Sequence, residues 1–164
     1  MRVLRAIGWV FAAIVAFGAV VYFGARLHDG PVAMIPGGPL RAGELFELPV
    51  SDWSFAADVG EIELQLESQT ISRTTWILVR GGAAYVPCSL GSPPGKTWHK
   101  AAQVDGRAIL RIAGKRYPVT LTRDDDPSLP EFARAEVTRK YGNIPPGTAG
   151  VMFFAVASRA PSGG

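Results

Sequence analysis

One thiol and two imidazoles, Cys88, His28 and His99, are all that a chain of 164 residues offers of that chemistry. A lone cysteine closes no internal disulfide, and with two histidines it does not complete a zinc site of the usual Cys/His type, so no metal is expected. Cys88 reads instead as a small buried residue. A surplus of positive charge is also lacking where it would matter. Of seventeen Lys and Arg, three (Arg2, Arg5 and Arg26) flank one apolar run, which leaves fourteen against fourteen Asp and Glu. The pI of about 9.3 is thus a property of that flank. No basic face with a reading motif marks a nucleic-acid partner.

A working phosphate loop is missing as well. Gly91-Ser-Pro-Pro-Gly95-Lys96-Thr97 ends as a P-loop ends but is one residue short, and Pro93 and Pro94 carry no N–H to cradle phosphate. Nucleotide hydrolysis is therefore not expected. Ser92 sits in no nucleophile elbow, because Pro follows where the chain would have to turn into a helix. Asp124-Asp125-Asp126, ahead of Pro127, reads as charge and capping at a helix start rather than as a metal cluster. These patterns name no catalytic residue.

What is present in force is the run Ala6 to Ala25, AIGWVFAAIVAFGAVVYFGA, without a charge. At about 1.5 Å per helical residue it spans roughly 30 Å, the thickness of a hydrocarbon core. A helix satisfies its own backbone there. A cleaved signal is the competitor, but its core is usually about 7–15 residues and ends at a small-x-small site. Here Phe23 stands where a small residue is needed. Residues 1–27 are therefore expected to be a transmembrane anchor. Arg2, Arg5 and the amino terminus outweigh Arg26, which places the N-terminus in the cytoplasm and the remaining domain outside it.

Residues 28–43, rich in Pro and Gly, read as an extended tether. Residues 44–160 read as one domain. Glu61 to Glu67 alternates with period two, as a strand with one buried face does. Thr74 to Arg80, a Gly81-Gly82 turn and Ala83 to Ser89 predict a hairpin. Arg107 to Ala113, a turn at Gly114-Lys115 and Arg116 to Arg123 predict a second, and Val151 to Ala157 a last strand. Two helices are expected, Thr97 to Val104 and Pro127 to Tyr141. The second carries Leu129, Phe132, Ala133, Val137 and Tyr141 on one side and stops at Gly142. About six short strands in hairpins predict a mainly β fold, a small antiparallel barrel with two inserted helices.

Charge is segregated along this domain. Seven acids from Glu44 to Glu67 are met by no Lys or Arg between Arg41 and Arg73, whereas Lys96 to Arg123 holds seven basic residues against Asp105. Two readings stand. The charges either pair across the sheet, with Arg73 on an acid of the Glu61–Glu67 strand and Lys96 and Thr97 merely opening a helix, or they build an anion site. In the second, Arg73 and Thr74 offer a guanidinium fork and a hydroxyl, and Lys96 and Thr97 an ammonium and a hydroxyl.

The succession Ser72-Arg73-Thr74-Thr75-Trp76-Ile77-Leu78, a Gly turn, Tyr85-Val86-Pro87, a Gly-rich loop, a short helix with an early Trp98, then Arg107 to Val119, resembles the split β-barrel flavoproteins. That superfamily includes pyridoxamine phosphate oxidase-like and deazaflavin-dependent nitroreductase-like proteins. The likeness covers Glu61 to Arg123, with Val151 to Arg159 similar to the closing strand. It implies a split barrel, an FMN or deazaflavin cofactor, oxidoreductase activity on a small acceptor, and a dimer that completes the pocket. By the same resemblance Arg73, Thr74, Lys96 and Thr97 hold the cofactor phosphate, Trp98 anchors the helix and Trp76 faces the ring. The basic run that usually precedes the Arg is absent, since Gln69-Thr70-Ile71-Ser72 carries no charge. The alternative is accordingly a non-catalytic extracytoplasmic barrel that serves as a binding or assembly module.

Overall fold

The structure is a computed structural model that describes residues 2–91, 95–142 and 150–160, with side chains from Arg5 and from Ile7 onward. Helix α1 (Arg2–Leu27) contains the apolar run. Its Ile7–Leu27 stretch is long and apolar enough to cross a membrane, and up to Gly24 it is not covered by the rest of the chain. Trp9, Phe11, Phe17 and Phe23 all stand exposed along it.

Seven strands follow in one antiparallel sheet, ordered β2-β1-β5-β6-β7-β4-β3. They are β1 (Glu61–Leu66), β2 (Ser72–Trp76), β3 (Leu78–Arg80), β4 (Ala83–Ser89), β5 (Arg107–Ile112), β6 (Lys115–Asp124) and β7 (Val151–Ser158). The stretch expected to be one strand, Thr74 to Arg80, is two. It breaks at Ile77, so that β2 pairs with β1 and β3 pairs with β4. The physical reason is a change of partner: one extended run serves both ends of the ladder and must bend between them. β2 and β4 come into contact but exchange no ladder pairing among the described residues. The sheet therefore curls without closing, and the barrel is split there.

Both hairpins turn on residues with positive φ, the backbone that two-residue loops between twisted strands require. Gly81 and Gly82 have φ of 57° and 81°. The second hairpin turns at Ala113 (φ 48°) and Gly114 (φ 78°), one position earlier than expected, and Lys115 pairs with Ile112 inside the ladder. Ala113 is thus held in a conformation that alanine disfavours.

Alternation puts Ile62, Leu64 and Leu66 of β1, and Ala108, Leu110 and Ile112 of β5, on the inner face. They meet Val86, Val119, Leu121 and Phe154 in the main core. Each such aliphatic side chain contributes about 1.5–3 kcal/mol by leaving water. Helix α2 (Trp98–Val104) closes one end with Trp98 and Ala102. Helix α3 (Leu129–Tyr141) buries Leu129 and Ala133 against Leu78, Tyr85 and Phe153. It stops at Gly142 (φ 76°), whose N–H donates to Thr138 O at 3.0 Å.

The 28–43 stretch is laid along the barrel. Gly37 exchanges two backbone hydrogen bonds with Ser72, at 3.0 and 3.2 Å, on the side of β2 away from β1. Leu40 is buried, and its N–H donates to Gln65 Oε1 at 2.8 Å. Arg111 of β5 donates Nη1 to Asp29 Oδ2 at 2.6 Å and Nε to Glu63.

Candidate functional site

Arg73 sits opposite Leu64 in the β1–β2 ladder, and directly opposed residues share a face. Leu64 is fully buried, so the Arg73 side chain also points inward, at the end of the barrel where β2 and β4 part. Its guanidinium lies over the Trp98 ring at 5.5 Å, and Nη2 donates to Gln69 Oε1 at 2.7 Å. Its Nε is buried without a partner. Of the acids of β1 and its end, Glu63 pairs with Arg111 and Glu67 with Arg159, while Glu61 stands opposite Trp76, three positions along β2 from Arg73. Pairing of Arg73 with that strand, one of the two readings of the sequence, does not occur. Burial pushes the Arg73 pKa down to about 10, with Cys88 opposing the shift and the Arg26 charge adding to it.

Lys96 stands just ahead of α2, whose position is fixed by Trp98 packing on Phe154 with ring centroids 5.4 Å apart. The charges of Lys96 and Arg73 both act on Cys88, the buried thiol of β4. Burial raises the Cys88 pKa, and the two cations pull against that rise. Lys96 also acts on His99, which burial first, then Lys100 and Lys96, hold below the ordinary imidazole value. His99 Nδ1 is buried and unpartnered. Arg73, Lys96, Trp98 and His99 therefore form one positively charged neighbourhood, with the Cys88 thiol buried within reach of its two cations.

The other residues marked in the sequence lie differently. Thr97 is the exposed residue before α2, and its hydroxyl makes no capping bond. Ser92, Pro93 and Pro94 of the Gly-rich loop lie outside the described residues. Thr74 and Trp76 pair with Glu63 and Glu61, on the face opposite Arg73. Thr74 Oγ1 donates to Ala33 O at 2.6 Å, and Trp76 stacks on Tyr141 of α3 at 4.7 Å with 22° between planes. Period-two alternation already separates positions 73 and 76. Sequence reasoning missed Gln69, which holds the Arg73 fork, and Arg26, whose charge was assigned only to the membrane flank.

Two grooves are lined by none of Arg73, Lys96, Trp98, Cys88 and His99. One, of about 390 Å³, is lined by Phe46, Leu48, Pro49, Val50, Phe55 and Tyr117. The other, of about 200 Å³, runs between Leu90, Asp124–Pro127 and Met152. In the latter, Asp126 accepts from Ser128 N and Oγ (2.8 and 2.7 Å) and from Arg80 Nη2 (2.9 Å). The Ser128 backbone, the Ser128 hydroxyl and Arg80, in that order, push its pKa down to about 2. This is helix-start chemistry.

No family model matches the chain, and no curated protein matches it in sequence. Solved structures with a similar chain path include a protein of Listeria innocua described as a pyridoxamine 5′-phosphate oxidase, at 12% identity and TM-score 0.45. It covers 62% of this chain and 83% of that one. An F420 reductase is similar at 14% identity and TM-score 0.47, covering 69% and 97%. A NimC/NimA family protein of Clostridium acetobutylicum is similar at 15% identity and TM-score 0.42, covering 62% and 74%. At these values the likeness is one of chain path, and the chemistry of the site is argued from this chain's own residues.

Proposed function

We propose that the chain is a membrane-anchored split-barrel oxidoreductase that binds FMN or a deazaflavin and serves a small acceptor. Arg73 carries this reading. A half-buried guanidinium whose Nε is buried and unsatisfied, with no carboxylate partner, is costly, and an arriving anion removes that cost. Phosphate suits the guanidinium fork, with Lys96 as a second charge and Thr97 as a hydroxyl donor at the rim. The donor set thus fits the phosphate end of such a cofactor. When bound, the ring would supply hydride or electron transfer. Trp98, beneath Arg73, would flank the ring, and a second copy of the chain would give the opposite wall, so a homodimer belongs to this reading. Helix α1 would hold the barrel at the membrane, with its N-terminus in the cytoplasm and the barrel outside.

The test is a titration of the full chain in dodecyl maltoside with FMN, followed by flavin fluorescence. Binding with Kd of tens of micromolar or tighter is expected, weakened about tenfold or more in Arg73→Ala. Protein that takes up neither FMN nor a deazaflavin at about 100 μM, a concentration well above that range, overturns the proposal.

A second reading, a binding or assembly module without a cofactor, is favoured by Trp76 and Thr74. Both are engaged on the far face and offer nothing to a ring at Arg73. The same titration separates the two readings.

A further inference from the structure

Helix α1 ends in a pair that marks a level. Arg26 Nη2 donates to Tyr22 Oη at 2.6 Å, and the guanidinium lies over that ring at 4.8 Å. A ring with a polar tip and a cation on a long stem are the side chains that settle where hydrocarbon meets headgroups. With α1 in a bilayer, that boundary passes through its last turn. The chain does not leave this level at once. Gly38 N–H donates to His28 O at 3.1 Å, so residues 28–38 form a loop that returns to the helix end. At its middle Val32 and Ile35 exchange two backbone hydrogen bonds of 3.0 Å each, and Ala33 takes φ of 52°, as a two-residue turn requires. Val32 follows His28 by four residues, a reach of at most about 14 Å even when extended. The headgroup layer extends roughly 5–7 Å beyond each side of the core. The turn therefore stays close to the membrane surface.

The loop has a covered side and a bare one. Pro31 and Gly37 are buried, and Thr74 Oγ1, donating to Ala33 O at 2.6 Å, fastens the turn to β2. Met34 at its tip is 89% exposed, Val32 and Pro36 are exposed beside it, and Leu27 at the end of α1 is 90% exposed. No charged residue occurs from Gly30 to Leu40. Apolar side chains are thus displayed by a turn that is bonded in place, next to the end of an apolar helix, with no cover among the described residues. Such surface gains by leaving water.

We propose that the turn from Val32 to Ile35 is a second membrane contact, with the Met34 and Val32 side chains seated among lipid headgroups and upper acyl chains. This rests on α1 being the anchor, as proposed above, and on nothing about a cofactor. A single helix would leave the barrel free to swivel on its stalk. Two contacts, one of them bonded to Thr74, set the β2 margin of the barrel toward the bilayer. The partner is the apolar boundary of a lipid surface and no particular headgroup, because the tip carries no charge with which to choose one.

The test uses the full chain in phosphatidylcholine vesicles, with the environment-sensitive fluorophore NBD attached to one introduced cysteine. Cys88 is buried, so the wild type treated alike supplies the blank. The label is read at Met34→Cys in the turn, at Phe17→Cys within α1, and at Glu131→Cys, an exposed position of α3 that serves as the aqueous reference. At position 34 the emission is expected to lie to the blue of that at 131 and to be quenched by phosphatidylcholine carrying a nitroxide near the top of its acyl chain. At position 17 a nitroxide deeper in the chain quenches. A label at 34 that emits as the one at 131 does, with 17 still quenched, overturns the inference and leaves the anchor standing. Labels in water at both 17 and 34 defeat the anchor and this inference with it. A blue shift at 34 that the nitroxide lipid leaves unquenched, and that fades as protein is diluted into lipid, means that a second copy of the chain covers the turn, and it also overturns the inference. Where Met34→Cys changes Tm, Val32→Cys is read in its place, with the same outcomes deciding.

Discussion

Lys140 holds the carbonyl at the bend between β2 and β3. Its side chain is 4% exposed, and Nζ donates to Ile77 O at 2.8 Å and Val59 O at 2.9 Å. Ile77 is the bend between β2 and β3, outside both ladders, so the ammonium takes the place of a neighbouring strand for its carbonyl. Glu136 lies 3.9 Å away and partly balances the charge. Burial nevertheless pushes the Lys140 pKa below the ordinary lysine value, against the pull of Glu136. Lys140→Met keeps the length of the aliphatic stem and removes only the donors. Two charge-assisted bonds, each worth about 1.5–3 kcal/mol, are lost, and the relieved desolvation of the ammonium offsets part of that. The expected net loss is about 2–4 kcal/mol. For a domain of this size about 3 °C accompanies each kcal/mol, so Tm falls about 6–12 °C. Differential scanning fluorimetry of the full chain in dodecyl maltoside reads this directly, with the exposed Lys100→Met as a control that stays within about 0.5 kcal/mol. A Lys140→Met protein as stable as the control would show that the bend needs no clamp.

Ala113→Asn is expected to stabilise by about 0.5–1 kcal/mol, because Asn tolerates the positive φ there and Asn-Gly suits this two-residue turn; a fall in Tm would refute it. Gly37→Ala is expected to cost about 2 kcal/mol or more, since the new methyl would run into the Gly30 carbonyl. Limited proteolysis should then cut within residues 28–43, and an uncut segment would count against its docking. The lowered pKa of Asp126 stabilises the fold above the unfolded carboxylate value of 3.8 and is lost as pH falls toward about 2. Arg80→Ala removes one of its partners and should shallow the acid limb of a stability-against-pH curve while leaving pH 7 behaviour of α3 otherwise recognisable by circular dichroism. An unchanged acid limb would mean that Arg80 contributes nothing to holding Asp126 ionised.

The elements were legible where local chemistry speaks alone. Gly81-Gly82 marked the first hairpin and Gly114 the second to within one position, alternation marked β1, and a one-sided stripe with a terminal glycine marked α3. The break at Ile77 was not legible, because Thr74 to Arg80 is apolar and β-branched enough to read as one strand, and only a change of ladder partner divides it. Arg73 and Lys96 were chosen for their chemistry, and the fold brings both charges to bear on Cys88. The face of Trp76 followed from counting by twos and could have been assigned before any coordinates. Gln69 and Arg26 carry no sequence signal for the roles they take, since each depends on contacts made by chain folding back from elsewhere. The docking of residues 28–43 was hidden for the same reason: Pro and Gly announce an irregular path and say nothing of what lies beside it.

The backbone exchange between Gly37 and Ser72 bears on how this protein can be handled. A version trimmed to begin after residue 43, the obvious cut for removing the greasy N-terminal portion, would strip the guard from an open strand margin and release Arg111 from Asp29. Such a fragment is primed to recruit its own copies edge to edge and precipitate. A cut ahead of His28 keeps both fastenings and is the one that should stay in solution.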